Sequence, residues 1–192
     1  EAHNVEDAAT AHLGVEVTRR GLYRTLARLD RKGRGILTAL HDALAGAEAG
    51  VELRERMEAR VRPALSRARA VTEGFVEVLE GFLPPEEATV RLGPMGIGEP
   101  ADRIEVQERL ASLVAVFGDL ERELAELRAR AELAEGISER LEGRLLDLKS
   151  VERRLAALSA GIRLVLAPGD EASAYVRWME SRGRGRRANL AL

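Results

Sequence analysis

Three histidines, His3, His12 and His41, are the side chains whose ordinary titration would suit acid–base work or metal ligation near neutral pH. No two of them stand at a ligand spacing such as His-x-x-x-His, and no Glu-x-x-His pair of the kind that builds carboxylate metal sites in helical bundles occurs. The chain has no cysteine, so disulfides, thiolate catalysis and Cys-based metal sites are excluded together. The Gly-rich string Gly93-Pro94-Met95-Gly96-Ile97-Gly98 lacks the Gly-Lys-Ser/Thr of a phosphate-cradling loop, and Pro100 follows it. It is expected to be a turn. No Gly-x-Ser-x-Gly elbow and no Ser/His/Asp arrangement at a recognisable spacing is present. The expectation is a protein without catalytic residues, metal or cofactor, and not an enzyme.

What remains is the chemistry of arginine. Lys32 and Lys149 are the only lysines among 30 basic residues, and a guanidinium is the better bidentate partner for carboxylate or phosphate. A GC-rich coding sequence produces the same bias and is the simpler cause. Between Thr18 and Arg34 stand seven basic residues, Arg19, Arg20, Arg24, Arg28, Arg31, Lys32 and Arg34, against one acidic residue, Asp30. The stretch from Ala8 to Gly33 looks like a helix-turn-helix whose second helix is rich in arginine. That second part, Leu22-Tyr23-Arg24-Thr25-Leu26-Ala27-Arg28-Leu29-Asp30-Arg31-Lys32-Gly33, is similar to the LYxxLxRLxxKG run of winged-helix regulators. The resemblance implies a helix that sets arginines on phosphates and base edges. It covers under a sixth of the chain, and no strand pair follows to form a wing. The other reading of the same residues is an exposed basic helix face that pairs with acidic helices. A second basic group, Arg182, Arg184, Arg186 and Arg187, follows Tyr175 and Trp178, and such a tail could contact a polyanion or dock on another subunit.

Elements must position these residues, and the apolar spacing names them. Leu110, Leu113, Phe117, Leu120, Leu124, Leu127 and Ala131, then Leu141, Leu145, Leu148, Val151, Leu155, Leu158 and Ile162, step by threes and fours. That is the repeat of a bundle or coiled-coil seam. In the first half Leu22, Leu26, Leu29, Ile36, Leu40, Leu44, Leu53, Met57, Val61, Leu65, Ala68, Val71, Phe75, Val78 and Phe82 step similarly. Pro63 falls inside that run and should kink or restart its helix; the turn lies either near Gly46 to Gly50 or at Arg62-Pro63. Asp102 followed by Glu105 reads as an N-cap pair, with the helix running about 34 residues, roughly 50 Å, toward Gly136. Glu55 to Val61 resembles Glu139 to Leu145 in pattern, so an internal duplication is one reading and shared composition the other.

The fold class expected is therefore mainly all-α, with long antiparallel helical hairpins in a bundle or coiled-coil-like array. One or two very short strands are possible near 89–92 and 162–166, the latter being better read as the last turn of a helix. The organisation expected is a first hairpin region over 1–83, a Pro/Gly connector over 84–101, a second hairpin over 102–167 and a C-terminal arm over 168–192.

Of the 192 residues, 45% are hydrophobic and 3% aromatic, a composition of long helices rather than of a pocketed enzyme. No run of apolar residues is long enough to span a membrane, and the scarcity of aromatics and lysines speaks against peripheral lipid contact. The chain begins at Glu1 with no signal-peptide pattern, which suggests a trimmed or processed start. The formal charge of −2 is a sum of blocks: residues 119–152 hold ten acidic and six basic residues, while 176–192 hold five Arg and one Glu. Such alternation would steer copies together. The function expected is a structural or assembly protein, a homo-oligomeric coat, filament or scaffold subunit. The alternative is a nucleic-acid-binding protein that uses the basic helix 18–34 and the Arg-rich tail.

Overall fold

The computed structural model describes residues 15–47, 49–83, 88–93, 96–134, 138–167, 176–182 and 189–191. Its helices are α1 (Arg19–Leu29), α2 (Ile36–Ala43), α3 (Ala49–Arg56), α4 (Arg62–Gly81), α5 (Pro100–Leu133) and α6 (Ser138–Leu166), and its strands are β1 (Ala88–Leu92), β2 (Arg177–Arg182) and β3 (Asn189–Ala191). The chain is mainly helical, as the periodicity requires. Every one of the fourteen seam residues named above on α5 and α6 is buried. The two helices form an antiparallel hairpin: Gln107 Nε2 donates to the Leu166 carbonyl at 2.9 Å near one end, and Arg128 reaches Glu152 nearer the other. Helix α4 runs antiparallel along α5, and α1 and α2 pack on α6, with α1 also against α4. One contiguous core draws on both halves of the chain.

The first half is built differently from the second. Two short helices precede one long helical segment, and the turn lies at Leu44 to Ala47 rather than at Pro63. Pro63 instead sits just inside α4, after a π-helical turn, Met57–Val61, that joins α3 to α4 without a break. The Arg62 N–H donates to the Met57 carbonyl, five residues back. Proline has no N–H and its ring crowds the carbonyl four residues earlier, so a widened turn relieves the clash without ending the helix. The same turn absorbs a packing constraint. Leu53, Met57, Val61 and Leu65 are all buried at steps of four, and in a 3.6-residue helix each such step overshoots by about 40°. Further along, Thr72 rather than Val71 occupies the core, its hydroxyl donating to the Ala68 carbonyl at 2.6 Å. A threonine can be buried in this way because the helix supplies its acceptor.

Helix α5 begins at Pro100, with Glu99 as N-cap, so Asp102 is the third helical residue and not the cap. The Glu99 N–H donates to Asp102 Oδ2 at 2.8 Å. Proline is favoured at the first helical position because its missing N–H would have no partner there. The turn expected at 93–98 is confirmed where it is described: the Gly96 N–H donates to the Gly93 carbonyl at 3.0 Å.

Strand β1 covers the segment expected at 89–92, but 162–166 is the end of α6. The partner of β1 is β2, which lies in the region read as a tail. β2 is the centre of a three-stranded antiparallel sheet, with Val90 opposite Met179 and Ser181 opposite Leu190. Its alternation is genuine: Arg177, Met179 and Ser181 are buried, with Trp178 and Glu180 between them half-buried. Only one of those inward residues is apolar, so the strand leaves no hydrophobic signature. Arg177 donates to the carbonyls of Val165, Ala167 and Gly93 at 3.1, 2.8 and 2.7 Å, closing the C-terminus of α6 and fixing the sheet to it.

Candidate polyanion-binding groove

Helix α1 is positioned by its own sequence. Thr18 caps it, its hydroxyl accepting from the Gly21 N–H at 2.9 Å, and Leu22, Thr25, Leu26 and Leu29 form its buried face. Thr25 tolerates burial by donating to the Gly21 carbonyl at 2.8 Å. The opposite face presents Arg20, Arg24 and Arg28 to solvent. Just before the helix, residues Val15 to Val17 cross α6 at Gly161, where an added Cβ would lie 2.8 Å from Val15 and 2.9 Å from Val17. Glycine is what lets the chain approach there, and the crossing holds α1 alongside α6.

Between α1 and α6 lies an open groove of about 530 Å³, lined by Arg24, Thr25 and Arg28 from α1 and by Lys149, Ser150, Arg153, Arg154 and their neighbours from α6. Five cations converge there from helices about 120 residues apart in sequence. Arg28 is held by Asp147 at 2.5 Å and by the Ser150 hydroxyl at 3.4 Å. Arg24, Lys149, Arg153 and Arg154 make no ion pair with any described residue. The Arg154 side chain lies against the first turn of α1, its Nη2 3.8 Å from where a Cβ on Gly21 would stand. Cations packed on a low-dielectric wall raise the local concentration of anions, and a groove focuses that field.

Of the arginines singled out in sequence, Arg24 and Arg28 line this groove, and Arg20 is exposed one turn earlier on the same helix. Arg31 follows the helix in an exposed turn. Arg19 is turned away, pairing with Glu80 of α4 at 3.3 Å and lying 5.5 Å from the centre of the Tyr23 ring. Arg182 ends β2, while Arg184, Arg186 and Arg187 lie outside the described residues, as do His3, His12 and the first helix of the helix-turn-helix reading. After α1 comes a tight turn and then α2, so the order of a winged helix is not followed. Lys149, Arg153 and Arg154 straddle the end of the acidic block 119–152, so charge counted along the chain does not single them out. The spacing of Lys149 and Arg153, one helical turn apart, was the available signal.

Among the described residues no group of three or more His, Asp or Glu side chains could hold a metal ion, and His41 stands 3.7 Å from Asp42 alone. Among the same residues no helix is long and apolar enough to cross a membrane. Comparison with known proteins gives no lead: no protein-family model matches the chain, and neither the curated proteins nor the solved structures hold a match.

Proposed function

We propose that this chain is a non-enzymatic helical module that binds a phosphate polyanion, a nucleic-acid strand, along the groove between α1 and α6. The observation that carries the reading is the convergence of Arg24, Arg28, Lys149, Arg153 and Arg154 on one groove, with four of them unpaired among the described residues. Exposed cations gathered on one groove, with Asp147 the single carboxylate that answers any of them among the described residues, favour an external anion there. The groove lining contains no aromatic side chain on which a base could stack, so phosphates rather than bases are what it would contact. Retention of single-stranded DNA as salt is raised tests this. Five phosphate contacts give a slope of log K on log salt near −3.5, from about −0.7 per contact. Reversing Arg24, Arg28 and Arg153 to Glu should abolish retention, and absence of retention by the wild-type chain at low salt would remove the proposal.

Self-association, as a coat, filament or scaffold subunit, is the second reading. Its support is the edge of β1, which pairs with β2 alone among the described strands and so offers a template for a strand of another copy. The long seams do not contribute to it, since they are buried against partners within one chain.

A further inference from the structure

The loop that follows α1 carries the one non-glycine residue with a left-handed backbone among those described, Lys32, at φ 52°, next to Gly33 at φ 73°. The Arg31 N–H donates to the Arg34 carbonyl at 2.5 Å and the Arg34 N–H returns to the Arg31 carbonyl at 3.1 Å. Two successive left-handed residues inside such a reciprocal pair make the tight turn that usually joins β-strands, here standing between helices. It is held from below. Asp30 accepts from the Gly33 N–H at 3.2 Å with one carboxylate oxygen and from Arg62 at 2.5 Å with the other, while Arg69 bonds to the Asp30 carbonyl. Both arginines belong to α4. The only acid of the segment is thus consumed internally, and Arg31, Lys32 and Arg34 are exposed with no ion pair to any described residue.

We infer that this turn is a second phosphate anchor, continuous with the groove, so that the ligand is a phosphate polymer long enough to occupy both. The inference rests on the groove reading. Arg24 and Arg28 stand four residues apart on one side of α1, and the turn carrying Arg31, Lys32 and Arg34 begins two residues after the helix ends at Leu29, so a strand leaving the groove past Arg28 meets the turn next. The backbone of the turn is already ordered and needs no rearrangement on binding, and a ligand already held in the groove presents its next phosphates at high effective concentration.

The test compares oligothymidylates of about six nucleotides, whose five phosphates match the five groove cations, and of about 16, and inorganic polyphosphates of matching charge, on the full chain. The long ligand should bind with a salt slope steeper by up to about 2 than the short one, since three further contacts each add about 0.7. The variant Arg31→Ser, Lys32→Asn, Arg34→Ser should bring the long ligand's slope down to that of the short one and leave short-ligand affinity within two-fold, a result that also shows the groove is folded. Asparagine is chosen because it tolerates the left-handed backbone. Whichever polymer shows the length effect identifies the source of the phosphates. Equal slopes for long and short ligands in the wild-type chain overturn the second anchor, as does a variant that weakens short and long ligands alike. Failure of both lengths to bind at all overturns the groove reading itself.

Discussion

Among the five groove cations, Arg28 alone is paired with a described residue, and that pair decides how ready the groove is. Asp147 and Arg28 are both about half exposed, so the bond is of the solvent-screened kind that contributes little to stability. It nonetheless puts a carboxylate where a phosphate would go. Asp147→Asn should therefore raise DNA affinity by about two- to five-fold with no loss in melting temperature, whereas Glu142→Gln, an exposed change elsewhere on α6, should raise it less. A tighter complex in neither variant would mean that Asp147 does not compete. Arg177 is the opposite case, a buried guanidinium whose hydrogen bonds go to three main-chain carbonyls. Arg177→Met leaves those acceptors without their donor and should cost about 2–4 kcal/mol, read as a melting temperature lower by roughly 5–10 °C. Neither residue's role could be read from its neighbours in sequence, because both act on segments distant in the chain.

At the scale of elements, the α5–α6 seam shows how far periodicity carries. A strict alternation of threes and fours after Leu148 would place position 152 in the core, and Glu152 is indeed buried there beside Val151. Arg128 answers it from α5 through two bonds, at 3.0 and 3.3 Å, and reaches Glu132 with a third at 2.8 Å. Hydrogen bonding to Glu152, and then to Glu132, holds the Arg128 guanidinium above its ordinary range, so it remains charged wherever the chain is folded. An ion pair in a seam is a registry device more than a source of stability, because desolvation offsets its attraction. Glu152→Leu alone should lower unfolding stability by about 2–4 kcal/mol in a denaturant titration; adding Arg128→Met should recover most of it. Failure of the second change to compensate would show that Arg128 carries packing of its own. The periodic seams were legible because burial on one helix face repeats at a fixed interval. Strand β2 was not, since two of its three inward positions are Arg177 and Ser181, whose burial depends on acceptors and neighbours that only the fold supplies.

For the whole molecule, the near-neutral charge conceals a separation of faces rather than of blocks along the chain. Helix α6 begins inside the acidic stretch 119–152 yet holds six basic residues against four acidic ones, and the side it turns to α1 carries Lys149, Arg153 and Arg154. Because the helical seams are buried within one chain, the expected solution mass at micromolar concentration is that of a monomer, 21.0 kDa, with larger species only where β1 edges pair. Light scattering over a hundred-fold range of concentration checks this; ordered filaments or shells would move the weight to the assembly reading.

The sequence by itself determined that the chain is mainly helical, where the two long seams run, that Pro63 disturbs its helix, and which face of α1 is basic. These are local properties, fixed by a residue's spacing from others within a few turns. Tertiary structure decided which strand pairs with β1, where the first-half turn falls, and that the cations of α1 meet those of α6. A groove between helices about 120 residues apart exists only after packing has chosen which faces meet, and no spacing along the chain encodes that choice.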